Sequence, residues 1–171
     1  MSLVLLLGGA RAGKSAAAQR LAAQWDGPVT FVATAEALDE EMAARIARHR
    51  DERPPGWRTV EEPVALREAV AAVDPGSAAI VDCLTLWVSN TLDGDEEAVL
   101  AEAAETAGLA AAHPAPVIVV SNEVGLGIVP ANADARAYRD RLGAVNRVFA
   151  ERAETAALVV AGRLLRLEET L

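Results

Sequence analysis

Short aliphatic runs alternate with longer stretches of helical spacing along this chain. Residues 3–7, 29–33, 78–82, 117–120 and 156–160 are wholly or almost wholly apolar. Runs this short, set between glycine, proline and polar turns, predict strands buried on both faces. Residues 15–25 put Ala18, Leu21, Ala22 and Trp25 at a helical spacing. Residues 38–51 put Leu38, Met42, Ile46 and His49 on one helical face, with Arg45, Arg48 and the acidic residues elsewhere. Pro54-Pro55-Gly56 ends that helix, and residues 57–61 predict a short edge strand. A helix is expected from Pro63 to residue 73, stopped by Asp74-Pro75-Gly76. Helical spacing returns after residue 82, breaks near Asp93-Gly94, resumes over 95–112, and recurs over 134–153. Residues 164–167 predict a last strand. Such alternation implies an α/β fold, a largely parallel sheet covered on both faces, with ligands at the C-terminal ends of the strands.

The first strand and first helix flank Gly8-Gly9-Ala10-Arg11-Ala12-Gly13-Lys14-Ser15. This is the phosphate-binding pattern G-x-x-x-x-G-K-[ST], with the strand before it and the helix after it that the pattern requires. The glycines allow a tight turn that brings backbone N–H groups up to phosphate oxygens. The helix N-terminus adds unpaired N–H groups and partial positive charge. Lys14 is expected to reach the β- and γ-phosphates, and the Ser15 hydroxyl to ligate Mg²⁺.

Composition narrows the class. With 171 residues, 52% of them hydrophobic, the chain suits one domain, 1–171, and is too apolar for disorder. No internal repeat or linker marks a second domain. No apolar run approaches a membrane span, and no basic region precedes the first one, so neither membrane insertion nor a signal peptide is expected. The one cysteine, Cys83, excludes an internal disulfide framework and suits a reducing cytoplasm. A net charge of -9 disfavours nucleic acid and anionic membranes as partners, though a local basic pocket for phosphates is compatible with it.

Other residues carry two readings each. Asp82 closes an aliphatic strand, where an acid holds Mg²⁺ in phosphate-loop proteins or simply caps the next helix. His49 lies among Arg45, Arg48, Arg50 and Arg53, a cluster that suits nucleotide phosphates or a solvated face. His113 before Pro114 has the plainer explanation that a helix C-terminus suits a histidine. Glu61 and Glu62 either orient ribose or metal, or complement the dipole of the helix after them. The loop over 121–133 has the length and position of a functional loop, or is a surface connection. Arg136, Arg139 and Arg141 pair with phosphates or with acids of their own helix. Cys83 is expected to be a small buried residue.

Taken together, these segments resemble the bifunctional adenosylcobinamide kinase / adenosylcobinamide-phosphate guanylyltransferase family of cobalamin biosynthesis. The likeness rests on four motifs in family order. The first is the phosphate loop, where the family commonly reads GGARSGKS. The second is Ala33-Thr34, then Asp39 to Ile46 as DEEMAARI, His49, Arg53-Pro54 and Trp57-Arg58-Thr59-Val60-Glu61. The third is Val81-Asp82-Cys83-Leu84-Thr85-Leu86-Trp87-Val88-Ser89-Asn90. The fourth is Ser121-Asn122-Glu123-Val124-Gly125-Leu126-Gly127-Ile128-Val129-Pro130, continuing to Arg136, Arg139-Asp140 and Asn146.

The resemblance implies a RecA-like, three-layer P-loop NTPase fold and two reactions. A nucleoside triphosphate (GTP or ATP, with Mg²⁺) phosphorylates the terminal hydroxyl of the aminopropanol arm of adenosylcobinamide. GTP then guanylylates that phosphate, giving adenosyl-GDP-cobinamide and pyrophosphate, through GMP bound covalently to a histidine. His49 is the matching position. An imidazole is a competent nucleophile near neutral pH, and a covalent intermediate splits one transfer into two. Lys14, Mg²⁺ and arginines would stabilise the leaving pyrophosphate. By the same resemblance Ala33, Thr34, Ala35, then Arg50, Asp51, Glu52 and Arg53, and Glu61 complete the GTP site, Asp82 is the metal-side acid, and the 122–130 loop lies near the nucleotide or the corrinoid arm. Ala12 replaces a usual serine, at a place where backbone does the binding. Arg48 stands where the family often has another histidine, which leaves His49 as the nucleophile of that segment. Family members are trimers, with Trp25, Trp57 and Trp87 as candidate interface residues here. The rivals are a small-molecule phosphate-loop kinase without guanylyl transfer, a GTP-binding switch protein and a nucleotide-binding scaffold without turnover. Ser121-Asn122-Glu123-Val124 lacks the N-K-x-D by which switch proteins read guanine.

Overall fold

The computed structural model describes residues 3–37, 39–51 and 53–168. Its elements are β1 Leu3–Leu7, α1 Lys14–Ala22, β2 Val29–Ala33, α2 Glu40–Asp51, β3 Arg58–Glu61, α3 Leu66–Ala71, β4 Ala78–Asp82, α4 Leu84–Asn90, α5 Glu96–Ala112, β5 Val117–Val120, α6 Ala133–Arg152, β6 Thr155–Val160 and β7 Arg163–Leu167. They follow the hydrophobic pattern closely. The expected helix at Pro63 begins later, at Leu66. The Glu62 carboxylate accepts from the N–H groups of Val64 and Ala65, holding a turn where the helix was expected to start. Among the described residues no helix is long and apolar enough to cross a membrane.

The sheet order is β3-β2-β4-β5-β1-β6-β7. Every neighbouring pair is parallel except β6 with β7. Side chains alternate across the strands, so each strand feeds two cores. Leu3, Leu5, Val32, Val81, Val117 and Val119 meet α3, α4, α5 and α6 on one face. Val4, Leu6, Phe31, Ile80, Ile118 and Val120 meet α1 on the other. The inner side of α1 is Ala17, Ala18 and Ala22, small enough to seat the helix close to the strands. The result is the expected three-layer arrangement. By contrast α2 is mostly exposed, with Met42, Ile46 and His49 only half-buried.

The register lines up the functional ends. One rung crosses the sheet through Glu61, Ala33, Asp82, Val120, Leu6 and Ala157. Whatever follows these residues therefore emerges at one common edge.

The tryptophans divide. Trp87 is fully buried and its Nε1 donates to the Val64 carbonyl at 2.8 Å, so it is not available to a subunit interface. Trp57 packs against the α1-side core, and Trp25 is part-exposed. Removing a buried aromatic leaves both a cavity and an unpaired carbonyl. Trp87→Ala is expected to lower stability by about 3–5 kcal/mol, and Trp87→Phe by roughly 1–2 kcal/mol for the lost bond. Urea unfolding followed by circular dichroism measures both.

Candidate active site

The phosphate loop joins β1 to α1 and is shaped by two close approaches. A Cβ on Gly8 would stand 2.4 Å from the Val159 carbonyl oxygen of β6. Gly13, at φ 99°, is the N-cap of α1, in the left-handed region that favours glycine. The Gly162 N–H, in the β6–β7 turn, donates to the Ala12 carbonyl at 2.8 Å and braces the loop from outside. Lys14 is buried, and its Nζ donates to the carbonyls of Gly8 at 3.0 Å and Gly9 at 2.7 Å. These bonds tie the ammonium to the loop's own backbone.

Asp82 ends β4 directly beside this loop, and Ser15 Oγ donates to its Oδ2 at 3.0 Å. Burial pushes the Asp82 carboxyl above the usual carboxylate range; the Ser15 hydroxyl and the charges of His49, Arg53 and Lys14 act in the opposite direction. A carboxylate sunk at a strand end with a hydroxyl against it fits Mg²⁺, a hard cation that keeps one or two protein oxygens and takes the rest from phosphates and water. Among the described residues no group of three or more His, Cys, Asp or Glu offers an all-protein metal cage.

The opposite wall comes from α2 and β2. Met42, Ile46 and His49 present the inner side of α2 to a cavity of about 380 Å³, whose other walls include Lys14, Ser15 and Asp82. A volume of this order suits a small-molecule ligand. No hydrogen bond from the described residues holds the His49 ring. Arg53 also lines the cavity, its guanidinium 3.7 Å from the Phe31 ring centroid and its Nη1 donating to Thr59 Oγ1 at 3.0 Å. Its buried Nε has no hydrogen-bond partner among the described residues. Burial lowers the Arg53 pKa from its usual value, against the charge of Asp82, yet a guanidinium stays protonated.

Not every expected site residue faces this cavity. Ala10, Arg11, Ala12, Gly13, Lys14, Ser15, Ala33, Ala35, His49, Arg53 and Asp82 line it. Thr34 does not. It is fully buried, its Oγ1 donating to the Cys83 carbonyl at 2.7 Å and accepting from the Cys83 N–H at 2.9 Å, so it clamps β2 to the end of β4. Gly8 and Gly9 act through the carbonyls that hold Lys14. Arg50 and Glu61 form an ion pair with each other between α2 and β3. Asp51 is exposed, and Glu52, like Leu38, falls outside the described residues. Cys83 is half-buried, lines the cavity and caps α4 rather than extending β4. Arg141 serves α4, donating to the carbonyls of Thr91, Leu92 and Gly94, while Arg136 donates to those of Pro130 and Ala131 and Arg139 pairs with Asp140. Phe31 and Thr85 line the cavity without having been given a role from sequence, while Asn122 was placed only as part of a loop near the nucleotide or the corrinoid arm. Phe31 is the middle residue of β2 and Thr85 lies in the first turn of α4, places that local spacing does not mark as a ligand wall.

This fold and site define a P-loop nucleotide-binding protein of RecA-like architecture. Solved structures agree on the fold: the flagellar accessory protein FlaH from Methanocaldococcus jannaschii has a TM-score of 0.53 at 17% identity, covering 95% of this chain and 74% of that one. The RadB recombinase has a TM-score of 0.54 at 17% identity, covering 92% and 73%. Sequence is more specific. Residues 4–167 match the family model described as cobinamide kinase / cobinamide phosphate guanyltransferase, and the chain belongs to that family. It is 45% identical over 167 residues to the bifunctional adenosylcobalamin biosynthesis protein CobP of Pseudomonas aeruginosa, covering 92% of each. It is 40% identical over 175 residues to CobU of Escherichia coli K12, covering 94% of this chain and 96% of that one.

Asp82 yields a test of the metal assignment. Its folded-state pKa lies above the ordinary value, so between the two the folded protein holds a proton that the unfolded chain has released. Stability therefore falls as pH rises through that window. Asp82→Asn removes the charge and keeps the shape. At neutral pH it is expected to raise the Tm of the nucleotide-free protein by a few degrees, and to abolish the extra rise that Mg²⁺ gives with nucleotide. Thermal unfolding with and without Mg²⁺ and GTP measures both; a variant still responsive to Mg²⁺ would overturn the role.

Proposed function

We propose that this chain is a bifunctional enzyme of cobalamin biosynthesis. It phosphorylates adenosylcobinamide with GTP or ATP, then guanylylates adenosylcobinamide phosphate with GTP, using Mg²⁺ in both steps. The observation that carries this reading is the convergence of two kinds of group on one cavity. Lys14, Ser15 and Asp82 are the parts of a triphosphate and metal site, while His49, on the separate helix α2, faces the same space. A simple phosphate-loop kinase has no use for a nucleophile there.

In the kinase step the substrate hydroxyl oxygen attacks the γ-phosphorus, the bond to the β–γ bridging oxygen breaks, and the hydroxyl proton passes to solvent. In the second reaction a ring nitrogen of His49 attacks the α-phosphorus of GTP and the bond to the pyrophosphate oxygen breaks. The substrate phosphate then attacks the same phosphorus, the P–N bond breaks, and His49 is restored. Lys14 and Arg53 neutralise charge on the leaving groups. Mg²⁺ held by Ser15 and Asp82 would add a Lewis acid at the phosphates.

The finer parts of the reading are also ours. The activity belongs in the cytoplasm, which an unpaired Cys83 suits. The enzyme is a homo-oligomer, a trimer on the family pattern. Leu164, Leu165 and Leu167 on the edge strand β7 are exposed, and a subunit contact would cover them.

Incubation with Mg²⁺ and GTP labelled on the α-phosphate, followed by denaturation and intact mass, tests the intermediate. Acid-labile label at about one GMP per chain is expected. His49→Ala should lose the label and slow guanylyl transfer by at least about a thousandfold, while still phosphorylating adenosylcobinamide. A folded, GTP-binding wild type that takes no label overturns the covalent route.

A further inference from the structure

We propose that Asn90 is a positioning residue for guanylyl transfer: its side-chain amide ties two backbone carbonyls behind the cavity and so fixes the wall of β2 and α2 on which the guanylyl group is made. This rests on the covalent route through His49 described above.

The need for such a residue comes from the strand ends. β2 stops at Ala33, whose carbonyl still accepts from the Glu62 N–H at 2.9 Å. Thr34 lies one step further on and is fully buried. A buried carbonyl past the end of the ladder requires a donor from elsewhere. The Thr34 N–H donates to the Asp82 carbonyl at 3.2 Å, and its Oγ1 donates to and accepts from the backbone of Cys83. The Thr34 carbonyl accepts from Asn90 Nδ2 at 2.8 Å. The same nitrogen donates to the Pro63 carbonyl at 3.0 Å, just past the end of β3. An amide nitrogen carries two N–H groups, and both are used.

Asn90 can reach both carbonyls because it closes α4, the helix that begins directly after β4 and Cys83. Trp87 stands one turn earlier on the same face, and its Nε1 donates to the Val64 carbonyl. Two side chains of α4 therefore staple the segments that leave β2 and β3 to the helix that follows Asp82.

What the staple holds is the cavity wall. Ala33 and Ala35, on either side of Thr34, both line the cavity. From Ala35 the chain runs through exposed Glu36 and Ala37 towards α2, where the Asp39 carboxylate accepts from the Met42 N–H at 2.7 Å. Thr34 is thus where the fixed sheet hands the chain to the helix that bears His49. The parts of the triphosphate site are held separately, Lys14 by Gly8 and Gly9 and Ser15 by Asp82. In the step that Asn90 serves, the bond from a His49 ring nitrogen to the α-phosphorus forms and the bond to the pyrophosphate oxygen breaks. Alignment of those atoms is what a displaced wall removes.

Wild type, Asn90→Ala and Asn90→Gln are compared in the labelling reaction with Mg²⁺ and GTP, and in phosphoryl transfer to adenosylcobinamide. Asn90→Ala leaves the bonds of Thr34 to Asp82 and Cys83 in place, and its Tm is expected to fall by a few degrees. Labelling and guanylyl transfer should slow about ten- to a hundredfold, with kinase kcat within about twofold of wild type. Asn90→Gln keeps the donors on a longer arm, should lie between the two, and decides the question if the alanine variant does not fold. A residue that served stability alone would leave the ratio of the two activities unchanged. Equal losses in both activities, or none in either, would therefore overturn the proposal. Hydrogen exchange over α2 gives a readout independent of the covalent route. Faster exchange there in Asn90→Ala, with α1 unchanged, is expected. A wild type that takes no label sinks the covalent reading, whereas unchanged exchange over α2 sinks the role of Asn90.

Discussion

A carboxyl group sunk at the end of an apolar strand must keep its proton or draw donors and cations onto it, and that requirement organises this molecule. Asp82 is such a group, with desolvation working against its charge and Ser15, His49, Arg53 and Lys14 working for it. Those four side chains come from the start of α1, from α2 and from the segment after α2. They meet because the sheet register brings Ala33, Asp82, Val120 and Leu6 onto one rung. The buried aspartate and the phosphate loop are thus one electrostatic unit, and the strand order β2-β4-β5-β1 assembles it.

The loop is held by backbone more than by side chains. Gly8 lies against Val159, where a Cβ has no room, and the β6–β7 turn donates into Ala12. That turn uses positive φ at Ala161 and Gly162. The one antiparallel strand therefore does more than lengthen the sheet: its hairpin turn closes over the outer side of the phosphate loop. A loop pinned from two sides presents its N–H groups without having to order them when phosphate arrives.

Most of this was legible in the sequence, for a physical reason. Strands buried on both faces and helices of regular spacing leave strong hydrophobic periodicities, and a phosphate loop needs its residues at fixed offsets. What spacing does not encode is which polar side chains at the sheet edge turn inward. Thr34 sits in the right segment but spends its hydroxyl on Cys83. Arg50 and Arg53 are three apart, yet Arg50 reaches Glu61 while Arg53 stacks on Phe31 inside the cavity. Trp87 looks like a surface anchor in a list of tryptophans, whereas its helical partners Leu84 and Val88 carry it into the core. Such choices depend on long-range neighbours, β2 beside β4 and β3 beside β2, that no local window contains. His49 is the informative exception, because its helical face, shared with Met42 and Ile46, was readable and does face the cavity.

The layout also bears on how one site can serve two phosphorus centres. On the proposed reading, the kinase reaction occurs at the γ-phosphorus and guanylyl transfer at the α-phosphorus of a nucleotide gripped by the same loop. The two attacks need different nucleophiles and separate approaches. The fold supplies two walls of different character. One is α2, mostly exposed and bearing His49 on its half-buried inner side. The other is the edge after β5, where Ser121, Asn122 and Glu123 are fixed by Asn146, Thr85 and Gly8. On that reading the nucleophile sits on a helix whose other residues are mostly exposed. The two attacks are then served from different walls of one cavity, the covalent guanylyl group forming on the exposed helix while the phosphates stay on the loop beside the pinned edge.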